Sequence, residues 1–170
     1  MKLPVEPPQP GPAPAAVDGP RAHGLHLRAM TRTDLSAVVR NETRSYAFPW
    51  SPGNFADCLA AGDECWVALA RERIVGHGVL SYGAAEAHLL SLCIARPHQG
   101  RGWGRSLLDW MATRARLRGA QTLFLEVRRS NTVARRLYRS FGFEEVGVRR
   151  DYYPAARGRE DARVLALDLE

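Results

Sequence analysis

Seven segments of the chain carry apolar residues in alternation with polar ones or in short runs, a pattern typical of β-strands. Helical spacing marks four further segments, at about 31–44, 54–61, 103–118 and 131–141. The strand segments are 25–30, 65–70, 74–82, 87–95, 121–127, 143–150 and 162–169. Their order along the chain is β-α-α-β-β-β-α-β-α-β-β, with no internal repeat.

The helix predicted at 103–118 has the clearest pattern of the four. Trp103, Leu107, Met111 and Ala115 recur every four residues, so they line one face. A chain that mixes strands with helices in this order predicts an α/β fold. We expect a mixed, mostly antiparallel sheet of six to seven strands with about four helices.

The first residues differ in composition from the rest. Seven of the eleven prolines fall within the first twenty residues, among many alanines and glycines. Such a segment has little apolar surface to bury and few backbone donors. We therefore predict a disordered Pro/Ala-rich tail over 1–23 and one folded domain over 24–170.

The composition is that of a soluble globular protein. Of 170 residues, 45% are hydrophobic and 25% are charged, and no apolar run approaches the roughly 18 residues of a membrane span. No apolar segment of a secretory signal follows Lys2. The three cysteines form no C-x-x-C pair, and together with the five histidines they show no zinc spacing. We expect a cytoplasmic protein without a metal.

The formal net charge of +6 raises the question of a nucleic-acid partner. Lys2 is the sole lysine, and every other cationic residue is arginine. Arginine, alanine, glycine and proline are abundant together, which indicates a general compositional bias. Because no basic run or aromatic-studded basic stripe is present, we expect neither a nucleic acid nor a membrane as partner.

A glycine-rich loop precedes the helix at 103–118. Gly100, Gly102 and Gly104 let backbone N–H groups converge, and the helix that follows adds unpaired donors. Such a loop is suited to hold a phosphate or pyrophosphate. A tight turn without a ligand is the alternative. The loop lacks the Lys-Ser/Thr pair of a P-loop and the opening βαβ unit of a dinucleotide-binding fold.

The spacing Gln99-x-x-Gly102-x-Gly104 resembles the acyl-CoA pyrophosphate motif of the GCN5-related N-acetyltransferases (GNAT). The order of elements over 25–170 is similar to that family's fold. The resemblance implies acetyl-CoA as acetyl donor, held by this loop and by main-chain groups of the preceding strand. The cofactor-binding residues that it implies are Leu92, Cys93, Ile94, Gln99, Gly100, Arg101, Gly102, Trp103, Gly104, Arg105 and Asn131.

Several further segments, in the same order along the chain, resemble the bacterial ribosomal-protein-alanine N-acetyltransferases. They are Ala47-Phe-Pro-Trp-Ser51, Leu125-Glu-Val-Arg-x-Ser-Asn131, Leu137-Tyr138, Phe141-Gly-Phe143, Arg149-Arg-x-Tyr-Tyr-Pro154 and Gly158-Arg-Glu-Asp-Ala162. Two features depart from the family pattern. Ala95-Arg96-Pro97 stands where Asp-Pro is frequent, and Gly100 stands where a basic residue is usual.

Glu126 and Tyr138 are the candidate catalytic residues. Glu126 is the only charged residue in an apolar strand and lies near the strand's end, where a carboxylate is suited to accept a proton. A solvent-exposed glutamate paired with Arg128 or Arg129 is the alternative. Tyr138 on its own reads as a core residue with its hydroxyl at the rim. The resemblance places the family's proton acceptor on Glu126 and its proton donor on Tyr138.

The resemblance implies direct acetyl transfer, in a ternary complex, to the N-terminal alanine of the small-subunit ribosomal protein numbered eighteen. Glu42, Glu160 and Asp161 are candidate acidic contacts for a basic peptide. An acetyltransferase for a small amine or for other protein N-termini is one alternative. A non-catalytic module that binds acyl-CoA or ribosomal RNA is another. The sequence leaves the oligomeric state open, a monomer included.

Overall fold

A computed structural model of the chain describes residues 18–22 and 24–170. One mixed sheet runs through the whole domain, with eight strands in the order β1-β2-β3-β4-β5-β6-β8-β7. The strands are β1 (Asp18–Ala22), β2 (Leu25–Ala29), β3 (Glu64–Ala70), β4 (Arg73–Tyr82), β5 (Glu86–Ile94), β6 (Thr122–Arg128), β7 (Glu144–Pro154) and β8 (Arg159–Asp168).

Four α-helices connect the strands, as the sequence predicts. They are α1 (Leu35–Ser45), α2 (Pro52–Ala61), α3 (Trp103–Leu117) and α4 (Thr132–Phe141). Neighbouring strands pair antiparallel except β5 and β6, which run parallel. A parallel pair needs a crossover, and α3 supplies it between these two strands.

Apolar residues are buried on both faces of the sheet. The larger cluster joins the α3 stripe to alternate residues of β6, and Leu107, Met111 and Ala115 are each 0% exposed. The smaller cluster packs α1 and α2 on the other face, around Val38 and Phe55. The sheet is therefore a middle layer that holds both helical layers in place.

The fold class is confirmed: a mixed, mostly antiparallel sheet with four helices in the predicted order. The sheet has one strand more than predicted, because β1 lies within the segment 1–23 assigned to a tail. Asp18–Ala22 pairs antiparallel with β2 at the edge of the sheet. An edge strand tolerates Pro20, because one side of it needs no N–H donor. The rest of the tail prediction concerns residues 1–17 and 23, which lie outside the described residues.

Within the described part of the chain, no helix is long and apolar enough to cross a membrane.

Candidate functional site

The sheet opens between β5 and β6. Pairing of these parallel strands runs from Glu86 opposite Thr122 to Leu89 opposite Leu125. Beyond Leu89, β5 continues to Ile94 and β6 to Arg128, and no further pair between them is formed in the described residues. The strand ends therefore diverge and leave an opening at the middle of the sheet.

A cleft of about 1010 Å³ occupies this opening. It is bordered by the end of β5, the glycine-rich loop before α3, the start of α4, the segment after α1 and the turn between β7 and β8. Its lining residues are Ser45, Tyr46, Ala47, Phe48, Leu92, Ile94, Arg96, Gln99, Gly100, Gly102, Gly104, Arg105, Arg128, Ser130, Asn131, Val133, Ala134, Leu137, Tyr138, Ala155, Ala156 and Glu160.

The end of β5 turns main-chain groups toward the cleft. The Tyr46 hydroxyl donates to the Leu92 carbonyl at 2.8 Å, and Gln99 Nε2 donates to the Ile94 carbonyl at 2.8 Å. In an extended strand the N–H and C=O of one residue point to the same side. The N–H groups of Leu92 and Ile94 therefore also face the cleft. The main chain of Cys93 faces β4, where it lies opposite His77.

The glycine-rich loop is built around two glycines in the left-handed region. Gly100 has φ 76° and Gly102 has φ 79°, conformations that favour glycine. Gly102 is the N-cap of α3, and no side chain of the described residues caps this end of the helix. The first-turn N–H groups of α3 are thus left for an anion, beside the positive end of the helix dipole.

Eight of the eleven predicted cofactor residues line the cleft, and three do not. Cys93 and Trp103 are buried in the core, at 2% and 8% exposure. Arg101 packs its guanidinium over the Trp103 ring at 5.3 Å. Arg105 lines the cleft while Nη1 donates to Ser140 Oγ at 3.2 Å. The residues that line it are Leu92, Ile94, Gln99, Gly100, Gly102, Gly104, Arg105 and Asn131.

Helix α4 places Asn131 and Tyr138 on the cleft wall. Asn131 is the N-cap, and its Oδ1 accepts the Ala134 N–H at 3.1 Å. Tyr138 is the buried residue of this helix, whereas Val133 is 69% exposed. Burial raises the pKa of Tyr138 well above that of an ordinary phenol, and the nearby Tyr153 and Cys93 add to the shift. Tyr138 therefore keeps its proton at neutral pH.

Glu126 is not among the residues that line the cleft, and it precedes the lining residue Arg128 by two positions in β6. Strand alternation puts it on the same face as Arg128, which lines the cleft. Its side chain is 24% exposed, and Oε1 lies 2.5 Å from Arg149 Nε. Glu126 is thus paired with an arginine, as one of the two interpretations of the sequence expects. The partner is Arg149, however, and not Arg128 or Arg129. The Tyr153 hydroxyl donates to the Glu126 carbonyl at 3.1 Å.

Arg128 contacts several residues at the cleft that the sequence did not predict to lie together. Its guanidinium lies over the rings of Phe48 and Tyr153, at 5.0 and 4.4 Å from their centres. Arg128 Nη1 also lies 2.9 Å from Glu160 Oε1. Partial burial alone would raise the pKa of Glu160, but hydrogen bonds from Arg128 and Ser130 lower it below its usual range. These partners are distant in sequence, so no local pattern signals them.

Two of the acidic residues proposed to contact a peptide, Glu42 and Asp161, already accept hydrogen bonds from backbone N–H groups of this chain. Glu42 is 3% exposed and accepts the Trp50 N–H, so the expectation that it meets a peptide is wrong. Asp161 accepts the Asp151 N–H at 3.0 Å. Glu160 lines the cleft, although Arg128 already pairs with it.

The fold brings together three potential metal ligands whose sequence spacing gave no signal. Ligand atoms of Glu42, His77 and Cys93 lie within 4.8 Å of one another, and all three residues are buried. Glu42 and His77 already pair at 3.2 Å. Burial raises the pKa of the Cys93 thiol to about 12, so it stays protonated at neutral pH. In this structure Glu42, His77 and Cys93 therefore form a buried polar cluster.

Comparison with known proteins places the chain among acetyltransferases. Residues 31–143 match the model of the Acetyltransferase (GNAT) family. The chain is 36% identical over 143 residues to the ribosomal protein bS18-alanine N-acetyltransferase of Escherichia coli strain K12, a match that spans 84% of this chain and 97% of the relative. The protein of the same name from Salmonella typhimurium is 38% identical over 146 residues, with the same coverage of both chains.

The structural comparison agrees. The crystal structure of the ribosomal-protein-S18-alanine N-acetyltransferase from Escherichia coli superposes with a TM-score of 0.81 at 35% identity. The match covers 86% of this chain and 94% of that one. The similarity therefore extends over most of the length of both chains.

Proposed function

The chain belongs to the GNAT family of acetyltransferases, and we propose that it acetylates the N-terminal alanine of ribosomal protein bS18. The acetyl group comes from acetyl-CoA by direct transfer in a ternary complex. The substrate rests on the relatives that carry this activity in their names, at 36% and 38% identity over most of the chain. This substrate places the proposed activity in the cytoplasm.

The observation that carries the proposal is the cleft itself. It joins an uncapped helix N-terminus, suited to a pyrophosphate, to a strand end whose main-chain groups face the same space. Tyr138 lines the cleft together with Leu92 and Ile94. A thioester bound along this path would lie between the strand and Tyr138, with the peptide entering beside Phe48 and Arg128.

The amine must be neutral to attack the thioester carbonyl. An α-amine has a pKa of about 7.7–8.0, against about 10.4 for a lysine side chain. An N-terminal substrate therefore needs only a modest base near neutral pH. We assign this role to Glu126, which accepts the proton directly or through one water after the amine displaces Arg149.

The N–H groups of Leu92 and Ile94 are the candidate donors to the developing oxyanion. Both face the cleft, because the carbonyls of the same residues accept from Tyr46 and Gln99. Fixed backbone donors stabilise charge that appears during the reaction without having to reorganise. The same hydrogen bonds also hold the end of β5 in place next to the thioester.

We assign Tyr138 as the proton donor to the leaving CoA thiolate. The raised pKa of its phenol fits this role only if the thiol formed is also a weak acid. Cys93, a thiol near Tyr138, shows how these surroundings affect such a group, because burial raises the pKa of the Cys93 thiol to about 12. A CoA thiolate that leaves in such surroundings is likewise desolvated, and it takes the phenolic proton more readily than it would in water.

Product analysis tests the proposal. A peptide with the bS18 N-terminus and an internal lysine is incubated with acetyl-CoA, and tandem mass spectrometry locates the acetyl group. The proposal predicts acetylation at the alanine α-amine alone. Acetylation at lysine, or turnover with free small amines but not with the peptide, would refute the proposed substrate and keep the acetyltransferase chemistry. Tight acetyl-CoA binding without any turnover would point to a binding module.

A further inference from the structure

A buried carboxylate and a buried imidazole lie behind the cleft wall, where no step of the proposed chemistry uses them. Glu42 of α1 and His77 of β4 are 3% and 0% exposed. His77 Nε2 lies 3.2 Å from Glu42 Oε2. Because a buried carboxylate is costly unless it is well partnered, the partners of Glu42 indicate what it does.

Glu42 holds both ends of the segment 46–50, which follows α1. Its main-chain carbonyl accepts the Tyr46 N–H at 3.0 Å. Its carboxylate Oε1 accepts the Trp50 N–H at 3.1 Å. The first three residues of this segment, 46–48, line the cleft. The first of these bonds belongs to the last turn of α1, so the bond to Trp50 is the one that the Glu42 side chain adds, and it joins the far end of the segment to the helix.

The segment is tied in turn to the strand that faces the thioester. The Tyr46 hydroxyl donates to the Leu92 carbonyl at 2.8 Å. The neighbouring residue, Cys93, lies opposite His77 in the β4–β5 register. Glu42, the segment 46–50, β5 and His77 thus form a closed ring of contacts behind the cleft.

His77 lies beside the Glu42 carboxylate, at a distance of 3.2 Å between Nε2 and Oε2. Nε2 faces the carboxylate and also lies 3.3 Å from Ser91 Oγ. Nδ1 of His77 and Oε2 of Glu42 are both buried without a hydrogen-bond partner among the described residues. Phe55 packs edge-on against the imidazole at 5.1 Å between ring centres. Trp50 packs on Phe55 at the same distance, which adds an apolar contact between the segment and the pair.

We propose that Glu42 is a positioning residue for acetyl transfer. Its carboxylate, through the bond to the Trp50 N–H, fixes the segment 46–50 as the wall against which the N-terminus of the peptide lies while it faces the thioester. The inference rests on the proposed function, because that function brings a peptide to this end of the cleft. Transfer depends steeply on alignment, since a displacement of about 1 Å can reduce the rate about a hundredfold.

Glu42→Gln is the variant that tests the role with the least change in volume. Glutamine keeps an oxygen for the Trp50 N–H but removes the charge of the carboxylate. An amide oxygen accepts a hydrogen bond more weakly than a carboxylate does, so the Trp50 N–H is held less firmly. We expect kcat/KM for the alanine peptide to fall about tenfold or more, and Kd for acetyl-CoA to stay within about twofold.

Glu64→Gln is the matched control. Glu64 is 0% exposed and lies 2.8 Å from both Arg114 and Arg118, and it is not among the residues that line the cleft. This variant loses a buried carboxylate as Glu42→Gln does, so it should lower the melting temperature without changing the peptide kinetics. Equal kinetic losses in both variants, measured below both melting temperatures, would overturn the proposal. Wild-type peptide kinetics in folded Glu42→Gln would overturn it too.

Hydrogen exchange separates this inference from the proposed function. We expect faster amide exchange across 46–50 in Glu42→Gln, and no change there in Glu64→Gln. If the wild-type protein does not acetylate the alanine peptide, the proposed function fails, and the exchange result still decides whether Glu42 fixes the segment. Unchanged exchange across 46–50 in Glu42→Gln would overturn the positioning role.

Discussion

Arg149 Nε lies 2.5 Å from Glu126 Oε1, so the carboxylate that we propose as general base is already paired in the free protein. The Arg149 side chain is 58% exposed. Ion pairs with this exposure contribute about 1 kcal/mol or less, because water screens them. An incoming amine can therefore take the place of Arg149 at small cost, and Glu126 remains available as a base.

Substitutions of these two residues should have very different effects. Glu126→Gln should lower kcat at least about a hundredfold, because it removes the proton acceptor. Arg149→Ala should change kcat/KM less than about fivefold, because the pair is weak. Steady-state thiol release with an alanine peptide measures both. Comparable losses in the two variants would instead make the ion pair, and not the carboxylate, the important feature.

Tyr138→Phe tests the proton donor. We expect kcat to fall about tenfold to a hundredfold, while Kd for acetyl-CoA stays near the wild-type value, because the ring still fills its buried position. The nearby Tyr153 hydroxyl already donates to the Glu126 carbonyl, so we do not expect it to take over the role. Isothermal titration gives Kd and thiol release gives kcat. A variant with wild-type kcat would show that Tyr138 only packs the core.

Gly102→Ala should weaken acetyl-CoA binding. A Cβ at Gly102 meets open space, but φ 79° is costly for alanine by about 1–2 kcal/mol, so the turn that presents the first-turn N–H groups of α3 should rearrange. We expect Kd to rise about tenfold.

Gly119→Ala is the control for backbone strain. Gly119 follows α3 at its other end, has φ 81° and also faces open space. Gly119→Ala should lower the free energy of unfolding about as much as Gly102→Ala does, and it should leave Kd for acetyl-CoA unchanged. Equal increases of Kd in the two variants would contradict a specific role of the loop at Gly102.

Acid should destabilise the protein in part through Glu64. Burial would raise the pKa of this carboxyl, but hydrogen bonds from Arg114, Arg118 and Trp66 outweigh it and lower the pKa below 4.5. Glu64 therefore stabilises the fold fully above its unfolded-state pKa, and this contribution disappears as the pH falls through the lowered folded-state value.

Glu64→Gln should lower the free energy of unfolding at pH 7 by roughly 3 kcal/mol, because two partly buried arginines lose their partner. It should also flatten the dependence of stability on pH below about 4.5. Urea unfolding of both proteins over a series of pH values measures this. A variant whose stability falls with acid as steeply as the wild type would contradict the assignment to Glu64.

Much of the fold follows from local patterns in the sequence. Alternating runs such as 121–127 and the stripe from Trp103 to Ala115 predict their elements because burial imposes those periods. The strand Asp18–Ala22 is not predicted because it lies next to the Pro-rich first residues, whose composition favours a tail, although an edge position admits Pro20.

The site was predictable only in part. The glycine loop is local, so its residues could be predicted together, and Leu92 and Ile94 followed from the resemblance. The contact of Arg128 with Phe48 depends on how distant elements meet, and the bond from Trp50 to Glu42 depends on how the segment after α1 folds back on the helix. Glu42 reads as an ordinary polar residue of an amphipathic helix, and only the packing of α1 on β4 makes it buried.

The most direct test of the account is thiol release from acetyl-CoA with three peptides compared side by side. One has the bS18 N-terminus with a free α-amine, the second has that amine blocked, and the third begins with a bulky residue in place of alanine. We predict saturable release with the first, none above background with the second, and strongly reduced release with the third. Equal rates with the free and blocked peptides, or no release with the first, would contradict the account.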